Sequence, residues 1–456
     1  AADAGADVGG ARDGRPGASE PLPRIDHASI EYEDFNADFY NEAPEISSMD
    51  AADVEARRRQ LDVHVVGVDP PNPVTRFGQC GGLGASTLKV LKRIGYDAPT
   101  AIQAQAIPAL LSGRDVLGIA KTGSGKTASF ALPALVHAMD QRKLRRGDGP
   151  IVLVLAPVRE LAAQILSEFR RFAKAHEGLR CVGVLGGGSK TDNFRELRNG
   201  AEVVVGTPGR LVDVCRGGNK SATNLRRVTY LVLDEADRML DMGFEPQIKK
   251  IIKLCPTARQ TLMFTATWPD GVRKIADTFL QPDAALVRIG NNGDKLTANK
   301  SIKQTVELVT EDQKLDRAIA VLRENLVDGA RGIVFCGTKR RCDFIDRKMK
   351  AMGLRSAGAI HGDKDQAERE YALDLFRKGK APLLVATDVA ARGLDIPGVT
   401  IVLVYDFPLA VEDYVHRIGR TGRAGKEGKA HCFFTEDDAH AARELVQIME
   451  GAEQEV

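Results

Sequence analysis

Short apolar runs rich in Val, Ile and Leu recur along the chain. Each ends in a small or polar residue and gives way to a stretch of helical character. The first series reads DVLGIA (115–120), IVLVLA (151–156), AEVVVG (201–206), YLVLD (230–234) and TLMFTA (261–266). A second follows with GIVFC (332–336), PLLVATD (382–388) and TIVLVYD (400–406). Runs apolar on both faces are what a buried parallel sheet requires, with helices as crossovers; a sheet wetted on one face would alternate. The polar interval NNGDKLTANK (291–300) separates the series and reads as a linker. The pattern predicts two tandem α/β domains, each a mostly parallel sheet flanked by helices. The first is placed over 77–290, the linker over 291–305 and the second domain over 306–456.

Upstream the pattern weakens. Residues 1–26, rich in Ala, Gly, Asp and Pro, predict a disordered segment. Residues 27–76 predict an N-terminal extension, with aromatic anchors in IEYEDFNADFY (30–40), a helical DAADVEARRRQL (50–61) and PPNP (70–73). Arg57, Arg58 and Arg59 read as a solvated helix face rather than a nucleic-acid contact. The chain opens without Met, without an apolar signal core and with Asp3, Asp7 and Asp13 near its start. Neither a secretory signal nor an organelle transit peptide is expected, and flanking tails are expected beyond it.

Composition narrows the classes little. A hydrophobic share of 43% and a charged share of 28% are those of an ordinary globular protein. The formal net charge of +2 makes any nucleic-acid site a local patch rather than a whole basic surface. The seven cysteines are scattered without a CxxC pair, which predicts reduced thiols of an intracellular protein and no structural metal. No apolar run approaches the roughly 18 residues of a membrane helix.

The chemistry concentrates at two places. AKTGSGKT (120–127) stands between the run DVLGI and a helical stretch, the strand–turn–helix context of a phosphate-binding loop. Gly123 and Gly125 let backbone N–H groups approach phosphate oxygens, and the helix N-terminus adds a favourable dipole. Lys126 is expected on the β- and γ-phosphates and the Thr127 hydroxyl on Mg²⁺, while Ala120, where the general motif has Gly, with Thr122 and Ser124 completes the loop. In YLVLDEADRM (230–239) a carboxylate ends an apolar strand beside that loop. Asp234 is expected to hold Mg²⁺ through water and Glu235 to orient or deprotonate the attacking water.

AKTGSGKT together with DEAD (234–237) resembles the DEAD-box family of ATP-dependent RNA helicases, whose loop also begins with Ala. The resemblance extends from about residue 27 to the end and implies two RecA-like domains. GYDAPTAIQ (95–103) resembles the adenine-reading motif, which puts Gln103 on the base edge and Tyr96 and Phe77 against its face. TAT (265–267) resembles the family's coupling motif and implies that Thr265 and Thr267, with Asp237 and His416, link the ATP and RNA sites. HRIGRTGR (416–423) implies arginine fingers at Arg420 and Arg423, and ATDVAARGLDI (386–396) implies a ribose contact from Asp395.

The same resemblance implies a single-stranded RNA track with little sequence preference. It maps onto Pro157 and Arg159, Gly187 in GGG (186–188), Thr207, Pro208, Gly209 and Arg210, Gln366 and Arg369, and Thr387 with Asp388. FCGTK (335–339) adds to it. Backbone reading by arginines and glycines, with aromatics at only 5% of the chain, fits such a grip. Val158 stands where the family usually has Thr, which removes at most one neutral hydrogen bond and predicts weaker RNA affinity. Ala101 and Thr265 are milder departures. Within the family, IEYEDFNADFY and GRDVLGIAKTGSGKT look closest to splicing helicases that remodel the branch-site complex. PTAIQAQ, LMFTATWP and TKRRCD lean toward the p-sixty-eight-like branch. The expectation is a nuclear role in pre-mRNA splicing with protein partners of a ribonucleoprotein complex; ribosome biogenesis, general RNA metabolism in nucleus or cytoplasm, and an ATP-locked RNA clamp are the alternatives. A DNA helicase on the same core is disfavoured by the adenine and DEAD motifs.

Overall fold

The computed structural model describes the chain except residues 1–21, 122, 187–189, 217–220, 291–297, 328, 389–397 and 423–426, and the side chain of Lys190. Its first sheet has eight strands: β1 (Val63–Val66), β2 (Val116–Ile119), β3 (Val152–Leu155), β4 (Cys181–Val184), β5 (Val203–Gly206), β6 (Tyr230–Asp234), β7 (Gln260–Thr265) and β8 (Ala285–Ile289). Their spatial order is β1-β8-β2-β7-β6-β3-β5-β4, parallel throughout except β1, which runs antiparallel to β8. A second, six-stranded sheet contains β9 (Ile302–Leu308), β10 (Arg331–Phe335), β11 (Ser356–Ile360), β12 (Leu383–Ala386), β13 (Val399–Val404) and β14 (Gly428–Phe434). Its order is β9-β14-β13-β10-β12-β11, all parallel. The two mostly parallel α/β domains read from the apolar runs are therefore present.

The runs are apolar on both faces because both faces are covered. Val152 and Val154 enter one apolar layer and Leu153 and Leu155 the opposite one, all fully buried. In the second sheet Val402 and Val404 divide from Ile401 and Leu403 in the same way. Full burial of each such side chain contributes about 1.5–3 kcal/mol. All seven cysteines are free and buried. Among the described residues no helix is long and apolar enough to cross a membrane.

The N-terminal region differs from its sequence reading. β1 lies within the stretch assigned to a separate extension, yet it forms an edge of the first sheet. Of the segment read as disordered, 1–21 lies outside the described residues, and Leu22 and Ile25 pack on the first domain's apolar layer. The arginine run is only partly solvated: Arg59 is exposed, whereas Arg57 and Arg58 are half-buried, Arg58 Nε donating to Gln105 Oε1 at 3.2 Å and Arg57 reaching the Pro73 carbonyl at 3.3 Å. The extension lies against the first domain through Phe35 and Phe39, whose rings meet His137 edge-on at 5.3 and 6.2 Å. Residues 291–297 of the expected linker lie outside the described residues, and β9 begins inside its last stretch.

Candidate active site at the domain junction

β2 runs out at Ile119, and the helix Lys126–Asp140 starts after a turn that only glycine accommodates. Gly123 and Gly125 have φ of +78° and +91°, a region glycine adopts without the steric cost of a Cβ. A Cβ on Gly125 would stand 2.5 Å from Gln103 Nε2. Gln103 braces this loop from behind: its Nε2 donates to the Gly125 carbonyl at 3.0 Å and its Oε1 accepts the Thr100 N–H at 3.0 Å. Thr100 Oγ1 donates to the Ser124 carbonyl at 2.8 Å, a contact the sequence reading missed. One N–H and one lone pair of the Gln103 amide are not used by these bonds, and the residue is buried and does not itself line the cavity that opens on this loop. Lys126 is buried and donates to the Ala120 carbonyl at 2.8 Å. Thr122 lies outside the described residues.

A cavity of about 390 Å³ opens on this loop, walled by Lys126, Thr127, Asp234, Glu235, Tyr96 and, from the second domain, Arg420. Tyr96 is held by its hydroxyl, which donates to Glu168 at 3.0 Å. Phe77 is buried behind it, ring centroids 6.4 Å apart, so it supports Tyr96 and does not line the cavity itself.

β6 carries Asp234 to the carboxyl edge of the sheet, where open α/β sheets bind ligands. Burial pushes its carboxyl up to about 7 against the pull of Lys126. A buried carboxylate and a nearby Thr127 hydroxyl are a donor set that fits a hard divalent cation. Glu235 follows with φ +51° and ψ +54°, a left-handed conformation that costs a non-glycine residue roughly 1–3 kcal/mol and is concentrated at functional sites. It turns the chain from strand into the helix Ala236–Asp241. Burial pushes the Glu235 carboxyl up, but Arg238, Arg420 and Lys126 outweigh it and hold it below the usual range.

Asp237 accepts from the Thr267 N–H at 3.0 Å and the Thr267 hydroxyl at 2.8 Å, and Thr265 Oγ1 donates to the Thr267 carbonyl at 2.8 Å. Burial pushes the Asp237 carboxyl up, but His416 of the second domain, Lys126 and these bonds hold it below its usual range. Burial drives the His416 imidazole down to about 4 despite Asp237, so it is neutral near pH 7. The proposed coupling residues thus adjoin one another. Arg420 donates through Nε to the His416 carbonyl at 3.1 Å. Arg423 and Asp395 lie outside the described residues.

The residues assigned to RNA lie around the same junction. Arg159 donates to the Gly186 carbonyl at 3.0 Å, Thr207 Oγ1 accepts from the Gly186 N–H at 3.2 Å, and Arg210 donates to Asn193 Oδ1 at 3.1 Å. Gln366 donates to Glu370 at 3.0 Å. Asp388 holds Arg417 through two bonds of 2.6 Å, and Thr387 is buried. Pro157 is buried, Pro208 opens the helix Pro208–Cys215, and a Cβ on Gly209 would meet open space. Gly187 lies outside the described residues. Sequence reading missed Glu160 and Glu370, which bond Arg369 and Arg159 across the junction, and Arg238, which contacts Glu235.

Fold and cavity together define a nucleotide hydrolase of two RecA-like domains with the phosphate loop on one and a facing arginine on the other. The sequence profile of the DEAD/DEAH box helicase family matches residues 100–275, and that of the helicase conserved C-terminal domain matches 313–425. The chain is 50% identical over 426 residues to the ATP-dependent RNA helicase DBP2 of Chaetomium thermophilum, covering 92% of this chain and 75% of that one. Among solved structures it resembles S. cerevisiae Dbp5 bound to RNA and ADP BeF3, with TM-score 0.71 and 29% identity over 82% of this chain and 93% of that one. It also resembles the yeast DEAD-box splicing factor Prp28, with TM-score 0.52 and 32% identity over 89% and 92% of the two chains. The chain belongs to the DEAD-box family of ATP-dependent RNA helicases.

Proposed function

We propose that this helicase hydrolyses ATP only when its two domains close on a single RNA strand, and that this closure separates short duplexes or remodels RNA–protein complexes. The observation that carries the reading is the shared cavity in which Glu235 of the first domain and Arg420 of the second face one space. Lys126 holds the β- and γ-phosphates, and Glu235 orients the attacking water and takes its proton. Arg420, with Arg423, stabilises the charge developing on the γ-phosphoryl group, a contribution on the order of 10³–10⁵ in rate for such fingers. Asp234 through water and the Thr127 hydroxyl would hold Mg²⁺, which when bound neutralises charge on the phosphate oxygens. Tyr96 and Gln103 bind adenine, and Asp395 the ribose.

RNA enters through phosphate contacts from Arg159 and Arg210 on one domain and Arg369 on the other. These exist together only in the closed arrangement, so RNA shifts the population toward it. The likeness to RNA-bound Dbp5, at a TM-score of 0.71 against 0.52 for Prp28 despite lower identity, supports a closed arrangement. We place the protein in nuclear pre-mRNA splicing with ribonucleoprotein partners, supported by its likeness to the splicing factor Prp28. A broader role in RNA metabolism is the second reading, favoured by the 50% identity to DBP2.

The test is steady-state ATPase with RNA, matched DNA or neither, for wild type and Arg420→Ala. RNA should stimulate most, because DNA lacks the 2′-hydroxyls, and raised salt should weaken the stimulation. Full activity without nucleic acid, or normal stimulation of Arg420→Ala, would overturn the closure reading. Crosslinking and sequencing of bound RNAs decides the process: enrichment of introns supports splicing, and their absence overturns it.

A further inference from the structure

Arg238 is only 1% exposed, yet it is a full cation at the junction of the two domains. It sits on the short helix Ala236–Asp241, three residues after Glu235. One nitrogen, Nη1, donates to Glu235 Oε2 at 3.2 Å, while Nε and Nη2 have no protein hydrogen-bond partner. Its charge is opposed by Glu235, Asp237, Asp388 and Asp241, of which Asp388 belongs to the second domain and is itself clamped by Arg417.

As a device for fold stability this is a poor arrangement. A buried guanidinium with two nitrogens unserved pays desolvation without full return, and an apolar residue of similar size would serve a core as well or better. What the arrangement does achieve is orientation. Glu235 has a left-handed backbone and makes no side-chain capping bond at the start of the helix it opens, so its carboxylate is held from within that helix by Arg238. Arg238 engages one of the two carboxylate oxygens of Glu235, and Glu235 lines the cavity beside Lys126 and Arg420.

We propose that Arg238 is a positioning residue for ATP hydrolysis, which holds Oε2 of Glu235 so that Oε1 is presented to the attacking water. Closure strengthens the hold, because the second domain excludes water from the pair and brings Asp388 near the cation. Arg238 touches neither nucleotide nor RNA in this scheme; it acts through Glu235. The inference rests on the reading of Glu235 as the water-activating carboxylate.

The experiment measures ATPase at saturating RNA, together with the KM for ATP and RNA affinity, for Arg238→Gln, Arg238→Lys, Glu235→Gln and the double variant Glu235→Gln/Arg238→Gln. Misplacing a catalytic group by about 1 Å costs about 10²-fold in rate, so Arg238→Gln should lose about that in kcat with KM and RNA affinity unchanged. Arg238→Lys, which keeps the charge but not the planar fork, should recover about tenfold of it. The double variant should be no slower than Glu235→Gln, because the two residues act as one unit. An active Glu235→Gln would sink the underlying reading. An inactive Glu235→Gln beside an Arg238→Gln with normal kcat would overturn only the present inference. Parallel losses of ATP binding, RNA binding and kcat would mark a structural role and overturn it as well. If Arg238→Gln fails to bind an ATP analogue, Arg238→Lys decides: a lowered kcat at normal KM sustains the inference, whereas wild-type kcat, or failure of this variant to fold too, overturns it.

Discussion

Arg369 of the second domain and Glu160 of the first are joined across the junction at 2.5 Å. The reciprocal pair, Arg159 of the first domain with Glu370 of the second, stands at 2.8 Å. The two crossed bonds hold the very arginines assigned to RNA phosphates on carboxylates of the facing domain. A carboxylate presents two charged oxygens much as a phosphate does, so the closed arrangement and RNA binding draw on the same donors.

The two pairs should differ in strength. Glu160 is 6% exposed and Arg369 17%, whereas Glu370 is 58% exposed. Exposed pairs contribute about 0.2–1 kcal/mol, and removing one partner of a buried pair leaves a charge without compensation. A double-mutant cycle with Glu160→Gln and Arg369→Gln should give a coupling of about 1–3 kcal/mol, and the cycle on Arg159 and Glu370 below about 1 kcal/mol. The readout is fluorescence transfer between labels on the two domains, with a non-hydrolysable ATP analogue and no RNA. Equal couplings would show that burial does not set the strength of these links.

Gln103 has one amide and two tasks. It braces the phosphate loop at Gly125 and, in the proposed function, reads adenine. Gln103→Ala should raise the KM for ATP by about tenfold, from one or two lost bonds of about 0.5–1.5 kcal/mol each. It should also narrow the preference for ATP over GTP, because guanine reverses the donor and acceptor pattern that the amide matches. Steady-state kinetics with both nucleotides check this. A raised KM with undiminished preference for ATP would assign Gln103 to the loop alone.

What the sequence made legible was local. Val152–Leu155 reads as a buried parallel strand because each residue has an apolar neighbour on its own face. The phosphate loop is legible because Gly123 and Gly125 are required by the backbone itself. The edge strand Val63–Val66 was not: it has four residues, two of them exposed, and its identity depends on pairing with Ala285–Ile289, far along the chain. The partners of Arg159 and Arg369 escaped for the same reason, since each lies more than 200 residues away. Arg238 stood in plain view beside the DEAD motif, but nothing in a one-dimensional pattern shows that its charge is buried.

His137 predicts an acid-sensitive packing of the N-terminal extension. It is buried beneath Phe35 and Phe39, with Nε2 2.8 Å from Thr229 Oγ1, and burial drives its imidazole down to about 4. The unfolded chain takes up a proton near 6.5 and the folded chain does not until about 4. Stability from this group is therefore complete above pH 6.5 and is lost as pH falls toward 4, by up to about 3 kcal/mol. His137→Gln can still bond Thr229 but cannot titrate. Urea midpoints at pH 7.5 and 5 should converge less in the wild type than in this variant; an equal pH dependence in both would remove His137 from the account.

Val158 and Thr338 occupy matching places in the two domains, and their difference gives the last prediction. Each is the N-cap of a helix, Arg159–Phe172 and Lys339–Ala351, and each has φ −130° and ψ 153°. Thr338 accepts the Arg341 N–H through its Oγ1 at 3.2 Å, while Val158 offers no side-chain cap. The backbone at 158 is therefore already shaped for a capping hydroxyl, and Val158 is nearly isosteric with Thr. A missing cap costs about 0.5–2 kcal/mol, and little reorganisation is needed to restore it. Val158 is also 6% exposed, so the new hydroxyl must find its partner locally, and the free N–H at the start of the helix supplies one. Val158→Thr should raise the stability of the first domain by about 0.5–2 kcal/mol, read from its urea unfolding midpoint. It should leave the ATP KM unchanged and strengthen RNA binding, because Arg159, the next residue, would start from a better-ordered helix. A destabilised variant would show that the buried methyl of Val158 outweighs the cap, and that the departure from Thr is a packing adaptation of this chain.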